Sequence, residues 1–267
     1  MRVVIDRVQI DPVTMEETVE RIAKAIEGRG TRSLHVATPN AQFVQIARSN
    51  PRFAEVLRKA ELSVADGVPL VWASRLLGNP LPGRVNGTDL MVRLCQESAY
   101  RGWSIYFLGG RPGAADAAVE VLRELYRGLK VAGTDCPLMG FSEDAELDRA
   151  ASSRIEAAAP DVLFVGLGAP KQELWIDEHR VLPVGAMVGV GGSFELVAGM
   201  TKRAPIIFQR SGLEWLWRVS MEPGRLWKRY LIGNTLFVLL VLRQWMGKML
   251  AVRSGKVVAG ELESGAE

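Results

Sequence analysis

The sequence predicts an α/β protein with a parallel-sheet core, helices on both faces of the sheet, and a basic helical C-terminal appendage. Three apolar strand-like segments, 104–109, 161–166 and 186–190, each end in glycines and lead towards a helix. Repeated strand–glycine–helix units are typical of parallel sheets that helices cover. The appendage is predicted by the composition after residues 203–205, where basic residues and tryptophans become frequent.

The N-terminal part of the chain predicts further strands and helices. Residues 1–11 alternate apolar and charged residues like an outer strand, and Thr14 to Glu17 forms a capping-box pattern that starts a helix. Strands are also expected at residues 33–37 and 62–66, with helices between them that Pro51 interrupts. The apolar stripe of the first helix is formed by Val19, Ile22, Ala23 and Ile26.

Composition divides the chain into parts of different charge. The 267 residues are 48% hydrophobic and 24% charged, which excludes disordered and collagen-like proteins. The net charge of +3 hides a split, because residues 201–253 contain ten basic and two acidic residues while the rest contains 23 and 28. We expect an α/β core at 1–200, a basic, tryptophan-rich and membrane-associating appendage at 201–253, and a flexible tail at 254–267. An anionic partner is expected for the basic part.

Several classes of site are disfavoured by the residue types present. Two cysteines and two histidines, the latter outside any metal-binding spacing, predict neither a disulfide scaffold nor a metal site. The N-terminus lacks the apolar core of a signal peptide. The longest apolar stretch, residues 231–242, is twelve residues long, whereas a membrane-spanning helix needs about 20.

Glycine turns follow each of the three predicted strands. The first contains Gly109 and Gly110, the second Gly168, and the third Gly191 and Gly192. Each could simply permit a tight turn, but three in succession favour a nucleotide or diphosphate site at the helix N-termini. Beside the second turn, Lys171 could contact phosphate and Gln172 could hydrogen-bond a sugar or base. The fingerprints GxGxxG and GxxxxGK[ST] are absent from the sequence.

Short polar side chains follow two other predicted strands. Thr38 and Asn40 come after one and Asp66 after the next, where a parallel sheet presents its ligands. Asp66 could serve as a general base. The alternative is that Asp66 belongs to a turn and that Thr38 and Asn40 cap helices. Arg84 could neutralise a diphosphate or pair with a surface carboxylate.

The appendage combines basic residues with four tryptophans and the apolar stretch at 231–242. This combination is typical of a helix that lies in a membrane interface. The alternatives are a helix that packs on its own core or on a second subunit, and a nucleic-acid surface, which the apolar stretch disfavours. The tryptophans are Trp215, Trp217, Trp227 and Trp245.

Several motifs taken together resemble the WecG/TagA/CpsF family of bacterial glycosyltransferases over about residues 3–230. They are ATPNAQF, VADGVPLVWASRLLG, GRVNGTDLM, IYFLGGRPGAA, DVLFVGLGAPKQELWI, VGVGGSFELVAG, KRAP and GLEWLWRVSMEPGRLWKRY. The resemblance implies a Rossmann-like core with a C-terminal appendage. It also implies transfer of a hexose or N-acetylhexosamine from a UDP-sugar to a polyprenyl-diphosphate-linked saccharide, with inversion and without a metal or other cofactor.

The resemblance also assigns roles to residues. It implies that Asp66 is the general base, with Thr38, Asn40, Arg84 and Gln172 as its polar partners. Arginines of the appendage that close over the diphosphate fall on Arg218 and Arg225, and a third position is occupied by Lys228. Glu195 stands where an Asp is expected and is assigned to the nucleotide.

The implied partners are the UDP-sugar, the lipid-linked acceptor and an anionic membrane surface at the cytoplasmic face of the bacterial inner membrane. A homo-oligomer is possible, and no nucleic acid is expected. Two other classes remain open at this point, a nucleotide-dependent (NAD-type) oxidoreductase and a non-catalytic membrane-binding module. The missing GxGxxG fingerprint argues against the oxidoreductase.

Overall fold

The structure is a computed structural model that describes residues 1–28, 30–137, 140–221 and 223–253. The side chains of residues 225, 226, 228, 229, 252 and 253 are outside this description. The tail predicted at 254–267 also lies outside the described residues.

The described strands form a hairpin and one larger sheet. The hairpin pairs β1 (Val3–Ile5) with β2 (Val8–Ile10) in antiparallel fashion. The larger sheet has six strands, all parallel, in the order β4-β3-β8-β7-β5-β6. Its strands are β3 (Leu34–Ala37), β4 (Leu62–Ser63), β5 (Ser104–Gly109), β6 (Lys130–Asp135), β7 (Val162–Gly166) and β8 (Ala186–Gly189).

Helices connect the parallel strands and continue beyond the last of them. The helices up to residue 200 are α1 (Met15–Gly28), α2 (Ala41–Ser49), α3 (Pro51–Lys59), α4 (Val68–Leu76), α5 (Gly87–Arg101), α6 (Ala114–Leu125), α7 (Ala145–Ala158), α8 (Lys171–Glu178) and α9 (Ser193–Val197). The appendage consists of α10 (Ile206–Arg210), α11 (Glu214–Met221) and α12 (Pro223–Arg253).

Both faces of the parallel sheet are covered, so the predicted α/β architecture is confirmed. On one face, Val36, Phe107 and Phe164 are fully buried in a cluster with side chains of α1, α5 and α6. On the other face, Leu163 and Met187 are buried with side chains of α7 and α8. Successive side chains of a strand point to opposite faces, which is why such strands read as continuous apolar runs.

Several local predictions are confirmed. Thr14 N–H donates to Glu17 Oε2 at 2.8 Å and Glu17 N–H to Thr14 Oγ1 at 3.2 Å, which is the capping box expected at the start of α1. The predicted apolar stripe of α1 is buried. Pro51 separates α2 from α3, as expected.

Two elements differ from the sequence-based expectation. The N-terminal segment forms two short strands instead of one outer strand, because Asp6 adopts a φ of 52° and turns the chain. β6 was not predicted, since this edge strand is only partly buried and includes Gly133. Neither difference moves the carboxyl edge of the sheet where the polar residues were expected.

The long helix α12 packs one face on the core. Phe237, Leu240 and Val241 are buried in a cluster with both strands of the hairpin, α2 and α3. Gln45 of α2 donates to the carbonyl oxygen of Gly233 at 2.7 Å, and a Cβ at Gly233 would displace the Gln45 amide. The appendage therefore shares its buried side chains with the core.

The opposite face of α12 is apolar and exposed. A helix repeats every 3.6 residues, so this face is distinct from the one that packs on the core. No helix of the described residues is both long enough and apolar enough to cross a membrane. The exposed apolar residues of α12 are Trp227, Leu231, Ile232, Leu236, Val238, Leu239, Leu242, Met246, Met249 and Leu250.

Candidate active site

A cavity of about 350 Å³ lies at the carboxyl edge of the parallel sheet. Its floor is formed by residues that follow β3 and β4, and its far wall by α11 and α12 of the appendage. This is where an open parallel sheet binds its ligands, and the volume suits a small molecule. Asn40, Asp66, Arg84, Gly192, Glu195 and Arg218, all predicted site residues, line it.

Asp66 is half-buried on the cavity floor, and its two carboxylate oxygens have different partners. Oδ1 accepts hydrogen bonds from Asn86 Nδ2 at 2.8 Å and from Gly87 N–H at 2.7 Å. Among the described residues, the hydrogen-bond partner of Oδ2 is Asn40 Nδ2, at a long 3.5 Å. Oδ1 is thereby anchored, while Oδ2 keeps the capacity to accept a proton.

Helix starts fix the two asparagines beside Asp66. Asn40 caps α2, its Oδ1 accepting from Gln42 N–H at 3.0 Å. Asn86 caps α5, its Oδ1 accepting from Thr88 N–H at 3.1 Å. Because each side-chain oxygen serves the helix, each amide nitrogen turns towards Asp66. Asn40 therefore fits both sequence-based interpretations, that of a helix cap and that of a polar partner of Asp66.

The pKa of Asp66 is raised above its ordinary value. Burial is the main cause, because it penalises the charged form, and the carboxylate of Glu214 adds to it. The hydrogen bond from Gly87, the charge of Arg218 and the Asn40 amide oppose the rise. A carboxylate with a raised pKa is a stronger base, which suits proton abstraction.

Cations outnumber carboxylates around the cavity. Among its described lining residues, the basic ones are Arg84, Arg111, Lys202, Arg203 and Arg218, and the acidic ones are Asp66, Glu195 and Glu214. Arg218 is exposed at the cavity wall, within hydrogen-bonding reach of Tyr230. Such a lining favours an anionic ligand.

Two of the predicted catalytic partners lie just beneath the cavity lining. Thr38 is buried, and its hydroxyl donates to the carbonyl oxygen of Gly189 at 2.7 Å, linking the ends of β3 and β8. Gln172 is also buried, and its Oε1 accepts from the N–H groups of Gly168 and Gly191, both at 3.0 Å. In this arrangement Thr38 and Gln172 hold the turns in place, and their direct contact with substrate stays a prediction.

The glycines of these turns are explained by positive φ values and, at two positions, by close packing. Gly109 and Gly110 have φ values of 98° and 80°, and a Cβ on either would clash with Leu167 or Phe194. Gly168 and Gly191 also have positive φ values, and none of these four glycines lines the cavity. Gly192 does line it. The alternative that the glycines simply permit tight turns therefore accounts for most of them.

Lys171 and Glu195, both assigned to the nucleotide, lie in different environments. Lys171 Nζ forms an ion pair with Glu143 at 2.7 Å and is outside the cavity lining, so the geometry gives its phosphate contact no support. Glu195 lines the cavity and accepts from Arg111 N–H at 2.8 Å. Its second oxygen, Oε2, is buried without a hydrogen-bond partner among the described residues.

Sequence reasoning missed some residues of the site and could not place others. Asn86 belongs to the motif GRVNGTDLM and directly precedes the apolar pattern of α5, which is the position of a helix cap. That signal could have identified it. Glu214 and Gln209 carry no such signal, since they reach the site from the appendage. The side chains of Arg225 and Lys228 lie outside the described residues.

No group of three or more His, Cys, Asp and Glu side chains in the described part of the chain is arranged to hold a metal ion. The charged side chains that line the cavity belong to arginines, one lysine and carboxylates among the described residues. Arginine matches a diphosphate through its planar fork of N–H groups. What the arrangement offers is a base on the cavity floor and cations around it.

Comparison with known proteins gives a consistent result. The family described as glycosyl transferase WecG/TagA/CpsF matches residues 3–250. An N-acetylglucosaminyldiphosphoundecaprenol N-acetyl-beta-D-mannosaminyltransferase of Staphylococcus aureus (strain MRSA252) is 34% identical over 223 residues, 83% of this chain and 84% of the relative. A protein of the same name from Bacillus spizizenii (strain W23) is 34% identical over 197 residues, 73% of this chain and 74% of the relative.

Proposed function

The chain belongs to the WecG/TagA/CpsF family of glycosyltransferases, and from this we propose that it transfers a sugar from a UDP-sugar to a polyprenyl-diphosphate-linked saccharide with inversion. The observation that carries the proposal is the setting of Asp66, which is anchored at the floor of a cavity that Arg84 and Arg218 also line. A base and two cations are what an acceptor hydroxyl and a departing diphosphate require.

Asp66 acts as the general base. Its Oδ2, the oxygen with the weaker hydrogen bonding, takes the proton of the acceptor hydroxyl while that oxygen bonds to the anomeric carbon. The bond from the anomeric carbon to the β-phosphate oxygen breaks, and its electron pair leaves with UDP. Attack from the face opposite the leaving group inverts the anomeric centre.

Arg84 and Arg218 stabilise the charge that develops on the departing diphosphate. Arg84 comes from the core and Arg218 from the appendage, so they approach the cavity from two sides. We propose that such cations, rather than a metal, provide the electrostatic stabilisation in this enzyme. Arg225 and Lys228 are proposed to extend the set.

The substrates follow from the names of the relatives. Both relatives are named as N-acetylmannosaminyltransferases that use N-acetylglucosaminyl-diphosphoundecaprenol. We therefore propose UDP-N-acetylmannosamine and this lipid-linked saccharide as the first substrates to test. Membership of a glycosyltransferase family favours neither the oxidoreductase nor the non-catalytic module.

A lipid-linked acceptor also requires the enzyme to meet a membrane. We propose that the exposed apolar face of α12 lies in the interface of an anionic bilayer, at the cytoplasmic face of the bacterial inner membrane. The apolar residues of this face and the basic residues of the appendage support the proposal. The possible homo-oligomer stays a prediction.

The reaction is tested by measuring UDP release with purified protein, a short polyprenyl-diphosphate-linked N-acetylglucosamine, and a series of UDP-sugars. We expect turnover with UDP-N-acetylmannosamine and an inverted anomeric product. The variant Asp66→Asn keeps the hydrogen bonds to Asn86 and Gly87 within reach but cannot take the proton. It should lose about 10²- to 10⁴-fold in kcat.

Two results would contradict this proposal. A wild-type protein that folds but neither binds UDP nor releases it from any donor would exclude a UDP-sugar transferase. Turnover by Asp66→Asn close to that of the wild type would remove Asp66 as the base while leaving the reaction class intact. Circular dichroism on the same samples separates both results from misfolding.

A further inference from the structure

Glu214 joins the appendage to the core inside the cavity. It is the first residue of α11, and its Oε1 lies 3.0 Å from a terminal guanidinium nitrogen of Arg84. Both side chains are mostly buried, with exposed fractions of 27% for Glu214 and 17% for Arg84. A partly buried ion pair interacts more strongly than a pair at the surface, because solvent screens it less.

The guanidinium of Arg84 has further protein partners. It donates to the carbonyl oxygen and to the side-chain oxygen of Gln209, both at 3.4 Å, and lies 3.7 Å from Asp89. These bonds are long, whereas the contact with Glu214 is short. Glu214 is therefore the strongest competitor for the N–H groups that a diphosphate would use.

We propose that Glu214 is an exchangeable counter-ion of Arg84, which it holds until the diphosphate of the nucleotide takes its place. The proposal rests on the function proposed above, because it requires a diphosphate in the cavity. The exchange leaves Glu214 close to the bound anion, so the repulsion between them weakens nucleotide binding. UDP carries more negative charge than the UDP-sugar, so the repulsion is greater for the product and favours its release.

Glu214 also acts on Asp66, which gives the proposal a second readout. Burial is the largest cause of the raised pKa of Asp66, and the negative charge of Glu214 raises it further. The charged groups around the cavity other than these two are Arg84, Arg111, Glu195, Lys202, Arg203 and Arg218, and the phenol of Tyr230 also lines it. Neutralising Glu214 alone therefore lowers the pKa of Asp66 while these groups stay unchanged.

The test is the variant Glu214→Gln, which removes the charge but keeps an oxygen that can accept from Arg84. Calorimetry should show UDP binding about fivefold tighter than in the wild type, since a competing charge is lost. The acidic limb of the pH profile of kcat/KM should move down by roughly 0.5 pH unit, because a like charge near Asp66 is gone. Glu214→Asp keeps the charge, so both values should return towards those of the wild type.

Glu97→Gln is the matched control. Glu97 also pairs with two arginines, Arg93 at 2.8 Å and Arg101 at 2.7 Å, but it lies outside the cavity lining. Loss of its charge should leave both the UDP affinity and the acidic limb unchanged. A shift as large as that of Glu214→Gln would point to the net charge of the protein instead of the exchange.

The outcomes separate this inference from the proposed function. Equal or weaker UDP binding by a folded Glu214→Gln, or an acidic limb that stays in place, overturns the role of Glu214 while the transferase stands. Absence of UDP binding by the folded wild type overturns the proposed function itself. Tighter binding together with the lowered limb supports both.

Discussion

At the scale of single residues, the site depends on side chains that serve a helix and the reaction at once. Asn86 caps α5 with its oxygen and donates to Asp66 with its nitrogen. Asn50 caps α3 in the same way, its oxygen accepting from Phe53 N–H at 3.0 Å, but it lies outside the cavity lining. The two caps therefore form a matched pair, and only one of them touches the proposed base.

Replacing each of these asparagines with alanine separates the two roles. Asn86→Ala and Asn50→Ala should each lower the free energy of unfolding by about 1 kcal/mol, since both lose an N-cap. Asn86→Ala should also lower kcat/KM by about tenfold, because Asp66 loses one of its two short hydrogen bonds. Urea unfolding and steady-state kinetics measure the two effects. Equal kinetics in both variants would show that Asn86 acts on stability alone.

The sequence predicted the residues of the site better than their contacts. Asp66 and Asn40 follow strands, so their place at the carboxyl edge of the sheet could be predicted from pattern alone. The ion pair of Arg84 with Glu214 spans 130 residues, and the hydrogen bond from Thr38 to Gly189 spans 151. Pairings at such separations depend on how distant elements pack, which local patterns do not encode.

At the scale of elements, α12 shows the limit of periodicity. Residues 231–242 are apolar except at Gly233, Asn234 and Thr235, so the sequence contains no periodic stripe that distinguishes an inner from an outer face. The structure distinguishes them, because Phe237, Leu240 and Val241 are buried while Ile232 and Leu239 are mostly exposed. Both sequence-based interpretations of this segment, packing on the core and an apolar interfacial surface, thus concern different faces of one helix.

Substitutions on the two faces of α12 should affect different properties, vesicle binding on the exposed face and stability on the buried face. The double variant Ile232→Ser and Leu239→Ser should reduce binding to anionic vesicles more than tenfold at an unchanged melting temperature, because it removes only exposed apolar surface. Leu240→Ala, on the buried face, should lower the free energy of unfolding by about 2–5 kcal/mol and retain vesicle binding while folded. Vesicle flotation and thermal unfolding measure these effects. Unchanged flotation of the double variant would contradict an interfacial α12.

At the scale of the whole molecule, two buried titratable residues should contribute to how the free energy of unfolding changes with pH. Burial, with a smaller contribution from Arg180, lowers the pKa of His35 from 6.5 to about 3. Burial raises the pKa of Glu173 from 4.5 to about 8, against an opposing hydrogen bond from Gln172. The folded protein keeps both groups neutral, whereas the unfolded chain charges them in the intervening range.

Their contributions to stability have opposite signs. Unfolding takes up a proton at His35 between about pH 3 and 6.5, so stability rises with pH there. Unfolding releases a proton from Glu173 between 4.5 and about 8, so stability falls with pH there. These two slopes oppose each other between about pH 4.5 and 6.5, and of the two contributions only the decline due to Glu173 continues above that range.

The variant Glu173→Gln should remove that decline. Its side-chain oxygen can still accept the hydrogen bond from Gln172, so the turns at the ends of β7 and β8 keep their support. In the wild type, the urea-unfolding midpoint should fall as the pH is raised from 6.5 to 8. In the variant, the midpoint should stay level over the same range. Parallel declines in the two proteins would mean that other groups titrate in this range.

The overall architecture could be predicted because it depends on patterns that repeat. Apolar strands followed by glycine turns and amphipathic helices predict a covered parallel sheet wherever they occur. The hairpin and β6 were not anticipated, because a residue with positive φ and a half-buried edge strand leave weak signals. The packing of α12 on the core cluster could not be predicted either, because it depends on contacts between distant parts of the chain.

Gln244 bonds to the N-terminal hairpin, accepting from Asp6 N–H and donating to the Val4 carbonyl oxygen, both at 2.9 Å. These contacts have a consequence for biosynthesis. The ribosome adds Gln244 238 residues after Asp6, so the hairpin must wait for this partner while the chain between them is made. Tyr230 and Asn234 of α12 line the cavity, so a nascent chain cannot assemble a complete substrate pocket before that helix emerges.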